Sequence, residues 1–319
     1  MSDSNALYVV VLAGGISHER DVSLRSGRRV ADALVAAGHR VVLRDPDAGL
    51  LPFLATERPD VVFPALHGSS GEDGSLLDLL AALGVPAVGS SGSSARRAWS
   101  KPVASSLLSE AGVAVPDSIV LSHEAFRELG ASSVLRVVRD ALEGDLVVKP
   151  ASGGSAQGVT IVQDTNDLPR AMVEAFTYDD VAVVERRVLG TEVAVAVIDT
   201  GDGPVALPAV EIEPTAGVYS FQARYNAGET TFYAPSRLDA SVIGAASAAA
   251  VLAHRTLGLR DLSRVDFIVD DGGQPWFLEA NVLPGLTETS LVPLAIEASG
   301  TDASTVYSAL ARRAYSRGV

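Results

Sequence analysis

The sequence predicts an α/β protein: a doubly wound parallel sheet first, then a small central unit and a C-terminal mixed-sheet unit. Three observations carry this reading. Up to about residue 100, short apolar runs alternate with segments of helical period, the pattern of parallel βαβ units. A glycine-rich turn, Ala151 to Gly158, separates two short strand-like runs. A further pair of runs, Ser263–Asp270 and Pro275–Ala280, flanks the turn residues Asp270–Asp271–Gly272–Gly273. At 319 residues the chain is long for one domain, and the expected division is 1–100, 101–187 and 188–319.

Each element has a local reason. Ala6–Ala13 is an apolar run ending at Gly14–Gly15, as a buried strand feeding a loop. Val22, Ser26, Val30 and Leu34 recur at spacing four, and Gly38 follows them, so a helix ends there. His39–Arg44 reads as a strand, a short helix follows, and Asp60–Leu66 is the next strand. The glycine-rich loop from Gly68 to Gly74 opens a helix over Ser75–Leu83, and Val85–Gly89 begins another strand. Pro102–Ala111 is helical with Gly112 past its end; Asp117–Leu121 is a strand and Ala125–Leu142 a helix. Asp145–Lys149 and Val159–Val162 are the strands on either side of the glycine turn. Val181–Glu185 and Glu192–Ile198 are strands, Thr215–Thr231 a long loop, and Ala240–Leu257 a helix.

Composition narrows the function. Hydrophobic content of 47% supports sizeable cores, and a net charge of −14 without a basic run argues against nucleic acid or an anionic membrane as partner. There is no cysteine, which excludes disulfides, thiolate metal sites and a cysteine nucleophile. No apolar run approaches a membrane span, and Met1–Asn5 lacks the basic region of a signal peptide, so a soluble cytoplasmic protein is expected. Neither a Walker lysine motif nor the dinucleotide glycine fingerprint occurs.

The chemistry concentrates at the C-terminal hairpin. Alternation puts Arg264 and Asp266 on one strand face, and antiparallel pairing can bring Glu279 opposite them. Two facing acids repel unless a cation lies between them, and hard oxygen donors suit Mg²⁺ with substrate phosphates. Solvated charges on a surface turn are the alternative. Lys149 ends a strand just before the glycine turn, where it either holds a phosphate or is an ordinary strand-end lysine. Glu185 and Glu192 are acceptors for a nucleotide's amine and ribose hydroxyls, or solvated acids. Glu19 falls in the crevice region of an open α/β sheet, or is a helix-start acid favoured by the dipole. His67 is general-acid material or a loop histidine, and Lys101 taken alone is a surface residue. The long loop carries Tyr219, Phe221, Arg224 and Tyr225, a composition suited to a lid.

Taken in order, these segments resemble the D-alanine–D-alanine ligases of the ATP-grasp superfamily over nearly the whole chain. Gly14–Gly15–Ile16–Ser17–His18–Glu19–Arg20–Asp21–Val22–Ser23–Leu24 is similar to the family's N-terminal signature. Ala65–Leu66–His67–Gly68 with Gly71–Glu72–Asp73–Gly74 is similar to its second. Asn281–Val282–Leu283–Pro284–Gly285–Leu286–Thr287 with Ser290–Leu291–Val292–Pro293 is similar to its C-terminal one. The resemblance implies an ATP-grasp fold, ATP as substrate, two Mg²⁺ ions (Mn²⁺ substituting), and a homodimer. Lys101, Lys149, Glu185, Glu192 and Arg224 would hold ATP; Asp266, Glu279 and Asn281 would bind the metals. Glu19 would take the first D-alanine's ammonium with His67 beside it, and Ser155 and Tyr225 would bond towards Glu19. Arg264, with the backbone N–H near Gly285, would stabilise the oxyanion, while Ser290 and Leu291 would grip the second substrate's carboxylate. The implied product is D-alanyl-D-alanine, for peptidoglycan precursor synthesis; D-serine, D-lactate or another amino acid as acceptor is the alternative.

Some positions depart from the family pattern. Ser100 stands where the family has aspartate, Leu77 where it has glutamine, Ala156 for a second serine and Val282 for threonine. Phe221 replaces the middle lid tyrosine, and Arg224 a lysine. None of these removes an implied metal ligand, the arginine, or the Glu19–Ser155–Tyr225 set.

Overall fold

The structure is a computed structural model that describes residues 6–215 and 228–319. Its elements in order are β1 (Tyr8–Leu12), α1 (Arg20–Ala36), β2 (Arg40–Arg44), α2 (Leu50–Glu57), β3 (Val61–Pro64), α3 (Ser69–Glu72), α4 (Ser75–Ala82), α5 (Gly92–Trp99) and α6 (Lys101–Glu110). Then come β4 (Ser118–Ser122), α7 (His123–Glu128), α8 (Ala131–Ala141), β5 (Leu146–Pro150), β6 (Thr160–Val162), α9 (Leu168–Phe176) and β7 (Val181–Arg186). The rest is β8 (Thr191–Ile198), β9 (Val205–Ala206), β10 (Val210–Pro214), β11 (Thr230–Tyr233), α10 (Ala240–Thr256), β12 (Leu262–Val269), β13 (Pro275–Asn281), α11 (Leu291–Ala298) and α12 (Ala303–Arg317). No helix among the described residues is long and apolar enough to cross a membrane.

The first sheet is parallel, in the order β2-β1-β3. Alternation along β1 divides its side chains between two cores. Val10 and Leu12 pack with Leu54 of α2 and Leu80 of α4; Val9 and Val11 pack with Val30 and Leu34 of α1. Helices therefore cover both faces, which is the doubly wound arrangement. The strand expected from Val85 is only a single parallel bridge, Val62 with Ala87. Pro86 lacks the N–H that a longer ladder needs there.

The central sheet is antiparallel, in the order β4-β7-β5-β6, and has its own core with Phe126, Val138, Leu146 and Met172. The helix expected over Ala125–Leu142 is broken into α7 and α8, because Gly130 adopts a left-handed φ of +79° and starts a new helix. Helix α6 turns elsewhere, burying Ala104 and Leu108 in the core of the C-terminal sheet.

That last sheet, expected to be mixed, is antiparallel in every described pairing; it runs β11-β10-β8-β12-β13, with β9 on the side of β8. On one face Val193, Val195, Val265 and Phe267 meet Ala246, Ala250 and Ala253 of α10. On the other, Ala194, Ala196 and Val210 share a core with Ile296 of α11 and Tyr307 of α12. Both cores continue into the parallel sheet, so the first and last sheets are packed as one body. Each fully buried leucine in them, such as Leu34 or Leu80, contributes roughly 1.5–3 kcal/mol.

Candidate active site

A cavity of about 790 Å³ lies between the central sheet and the C-terminal sheet. Val147, Lys149 and Ile161 face it from one side, and Glu192, Ile268 and Glu279 from the other. On β5 and β7, Val147 pairs with Glu185 and Lys149 with Val183, which places Lys149 and Glu185 as diagonal neighbours. Their side chains meet, with Lys149 Nζ donating to Glu185 Oε1 at 2.7 Å. Both are buried, so each offsets the other's desolvation. Taken alone Lys101 reads as a surface residue, but the structure overturns that reading. As the first residue of α6 it is carried into the cleft, where its side chain is 11% exposed. Lys101 Nζ donates to the Gly153 carbonyl at 2.7 Å and pairs with Glu279 Oε2 at 3.1 Å. One ammonium thus ties the glycine turn to β13.

The floor of the cleft is the β12–β13 hairpin. Asp266 pairs with Glu279 and Arg264 with Asn281, as alternation requires, with an irregularity just after Asp266. On the other flank Arg264 and Asp266 lie opposite Ala196 and Ala194, whose small side chains leave room beside them. Arg264 grips Asp266 with two bonds, Nε to Oδ1 at 2.7 Å and Nη2 to Oδ2 at 2.6 Å. Asn281 Nδ2 reaches the same carboxylate at 3.4 Å. Each acid of the pair therefore already faces a cation, Arg264 or Lys101, as two close carboxylates require. Among the described residues no group of three or more His, Cys, Asp or Glu side chains could hold a metal. Two carboxylates and an amide still fit Mg²⁺, which takes one or two carboxylates and fills its shell with water and phosphate oxygens.

Beyond the hairpin lies a second cavity of about 120 Å³, lined by Glu19, His67, Ser155, Arg264, Asn281, Gly285, Ser290 and Leu291. Glu19 precedes α1, and Ser155 Oγ donates to its carboxylate across the gap from the glycine turn. Ser155 achieves this in a left-handed conformation, φ +53°, uncommon for a residue with a side chain. Gly68 must be glycine: its φ is +66°, and a Cβ there would stand 2.9 Å from Glu19 Oε2. Gly285 is constrained only by space: a Cβ there would stand 2.8 Å from Ser290 Oγ, so that hydroxyl would have to move.

His67 is buried with both ring nitrogens engaged. Nδ1 lies 3.0 Å from the Leu283 carbonyl, which can only accept, so Nδ1 carries the proton. Nε2 then accepts from Ser26 Oγ at 3.1 Å, and Ser26 in turn accepts from Leu286 N–H. Burial pushes the imidazole's pKa down and keeps it neutral. Of the two readings of His67, the geometry supports a fixed strut between the glycine loop and the Leu283–Leu286 segment.

The matching family model, described as the D-ala D-ala ligase C-terminus, covers residues 107–311. A D-alanine–D-alanine ligase from Anaeromyxobacter dehalogenans is 41% identical over 299 residues, 92% of each chain. One from Anaeromyxobacter sp. is 44% identical over 286 residues, 89% of each. The chain belongs to the D-alanine–D-alanine ligase family. Solved structures of that family superpose over almost all of it. The Bacillus anthracis D-alanine–D-alanine ligase complexed with ATP gives a TM-score of 0.81 at 27% identity, covering 97% of both chains. The VanG D-Ala:D-Ser ligase from Enterococcus faecalis gives 0.83 at 26% identity, covering 97% of this chain and 99% of its own.

Within this ligase-family chain the structure brings the expected residues to two adjoining places. Lys101, Lys149, Glu185, Glu192, Asp266 and Glu279 line the larger cavity, while Glu19, His67, Ser155, Arg264, Asn281, Gly285, Ser290 and Leu291 line the smaller. Arg224 and Tyr225, with Tyr219 and Phe221, lie outside the described residues. Sequence reasoning passed over Glu72 as a site residue. It lines the smaller cavity, fully buried, and accepts from Gly68 N–H at 2.9 Å. Burial first, then the nearby Glu19 charge, raises its pKa to about 8, so it is protonated at neutral pH. Its place in the glycine-rich loop, within Gly71–Glu72–Asp73–Gly74, is the sequence signal that could have found it. Arg237 was missed too; it lines the larger cavity, bonded to Glu211 at 2.5 and 3.1 Å.

Proposed function

We propose that the chain joins two D-alanines at the expense of ATP, through an acylphosphate, to form D-alanyl-D-alanine for peptidoglycan precursors. The observation that carries this is the β12–β13 hairpin, which fronts both cavities. Asp266 and Glu279 line the nucleotide-sized one, and Arg264 and Asn281 the amino-acid-sized one. A phosphoryl group leaving the first can therefore reach a carboxylate held in the second.

A carboxylate resists attack by an amine because of its charge and resonance, so it must first be made into a better electrophile. Lys101 and Lys149 hold the triphosphate, with Glu185 and Glu192 as acceptors for the nucleoside and Arg224 as a further phosphate contact. Asp266, Glu279 and Asn281 would hold Mg²⁺ (or Mn²⁺), which would supply charge neutralisation for phosphoryl transfer. Glu19, steadied by Ser155 and Tyr225, takes the ammonium of the donor. Protonated Glu72 adds no second negative charge beside the donor's carboxylate. The acceptor's carboxylate sits at the start of α11, against Ser290 and Leu291, and its free amine attacks the acylphosphate. Arg264 and the backbone N–H near Gly285 stabilise the resulting oxyanion; one such donor is typically worth about 10²–10³ in rate. A homodimer in the cytoplasm, where ATP is available, completes the proposal.

The test is direct. Protein, ATP, Mg²⁺ and D-alanine should yield ADP, phosphate and D-alanyl-D-alanine, identified by mass. Release of ADP only with D-serine, D-lactate or another acceptor would refute the substrate while leaving the reaction class standing. D-Alanine is favoured because the relatives at 41–44% identity are named D-alanine–D-alanine ligase. The solved structures do not separate the two acceptors, at 26% identity for the D-Ala:D-Ser ligase and 27% for the D-alanine–D-alanine ligase complexed with ATP.

A further inference from the structure

Arg25 has no place in the roles assigned above. It lies on α1 one turn beyond Val22, exposed on the rim of the smaller cavity that Ser290 and Leu291 also line. Among the described residues that line either cavity, every other lysine or arginine has an acidic partner. Arg264 holds Asp266, Lys101 holds Glu279 and Lys149 holds Glu185. Arg186, Arg187 and Arg237 are paired with Asp117, Asp145 and Glu211. Arg25 makes no hydrogen bond or ion pair among the described residues, and Asp21, one turn before it, stays beyond ion-pair distance.

The charges are also ordered along the cavity. Glu19 stands just ahead of the first turn of α1, and Arg25 comes six positions later. At 1.5 Å per residue one rigid helix separates this anion and cation by roughly 9 Å along its axis. Two amino acids joined end to end span about 7 Å, with an ammonium at one end and a carboxylate at the other. A guanidinium presents a fork that matches a carboxylate, and it needs no proton transfer to do so.

We infer that Arg25 is a specificity-determining anchor for the carboxylate of the acceptor amino acid, acting beside the N-terminal N–H groups of α11. This rests on the ligase reading and adds to it a reason for preferring acceptors with a free carboxylate. The experiment compares the full chain with its Arg25→Ala and Arg25→Lys variants. The rate is followed against D-alanine at saturating ATP, and the donor and acceptor sites are fitted as two separate KM values. Arg25→Ala should raise the acceptor KM about tenfold, with kcat, donor KM and ATP KM within about twofold of the parent. Arg25→Lys should recover part of the loss. With D-alaninamide as acceptor, the parent and Arg25→Ala should have equal KM, because there is no carboxylate to lose. An unchanged acceptor KM for D-alanine in Arg25→Ala, or an equal rise with the amide, would overturn the inference. Failure of the parent chain to form any dipeptide would overturn the ligase reading and this inference together.

Discussion

At the scale of single residues, the site is governed by which acids carry a proton. Glu19 and Glu72 approach the same edge of the smaller cavity, and an added Cβ on Gly154 would lie 3.5 Å from one carboxylate and 3.9 Å from the other. Two charges so placed and so buried would repel, and Glu72, the more enclosed, keeps its proton up to about pH 8. The sign of the linkage is the reverse of the usual acid. An unfolded chain releases this proton near the ordinary glutamate value of 4.5, whereas the native chain holds it. Stability from Glu72 is therefore complete below pH 4.5 and is lost progressively as pH rises to about 8. A tenfold difference in proton affinity between native and unfolded chains is worth about 1.4 kcal/mol, so the effect amounts to several kcal/mol. Glu72→Gln keeps an oxygen for Gly68 N–H and removes the titration. Urea midpoints at pH 5 and pH 9 should differ less in the variant than in the parent. Parallel profiles would show that Glu72 ionises normally.

At the scale of elements, the departures from the family pattern are answered by packing. Leu77 replaces a glutamine on α4, and the structure shows what it gains: 5% exposure, in the core with Leu80, Leu66 and Val282. Val282 itself replaces threonine and is equally enclosed. Leu77→Gln should lower stability by roughly 2–3 kcal/mol, from lost apolar burial and a carboxamide without a partner. Equilibrium denaturation measures this directly, and an unchanged midpoint would mean that α4 shifts to accommodate the amide. The same elements show what was legible beforehand. The β12–β13 hairpin was readable to within a residue, because alternation and the Asp270–Gly273 turn specify register locally. The break at Gly130 was written in the sequence as a glycine, yet the helical period on either side of it hid the interruption. Lys101 and Glu72 were not readable from their neighbours, since their burial arises from segments distant in sequence: Glu279 and Gly153 for the one, Glu19 for the other. The ordered motifs found them a family; only tertiary placement shows their environment.

Over the whole molecule, the first and last sheets share two cores, and buried histidines tie separate elements together. His39 Nδ1 accepts from Leu7 N–H at 3.1 Å while Nε2 meets Ser308 Oγ of α12 at 2.8 Å, joining the start of β1 to the last helix. His67 links the glycine loop to Leu283. His254 Nδ1 meets Ser263 Oγ at 2.8 Å, linking α10 to β12, and its Nε2 has no partner among the described residues. A proton added to that nitrogen would be a buried donor with nothing to accept it, and burial lowers the pKa of His254 to about 4. Burial also lowers His39 and His67. Unfolded histidines take up protons near pH 6.5, and the native ones resist until lower pH. Stability from this source is complete above pH 6.5 and is lost as pH falls towards each native value. For His254 alone, the fall from 6.5 to about 4 corresponds to roughly 3 kcal/mol. Glu72 acts in the opposite direction between pH 4.5 and 8, so the stability maximum should fall inside the neutral range and decline on both sides. Denaturation midpoints for the parent and His254→Gln at about pH 7, 5.5 and 4.5 separate this contribution from carboxylate titration common to both. The variant starts less stable at neutral pH and should lose less on acidification, so that the two curves converge at the acid end. A constant gap across the series would mean that His254 is protonated as readily in the native core as in the unfolded chain, and the neutral strut between α10 and β12 would be refuted.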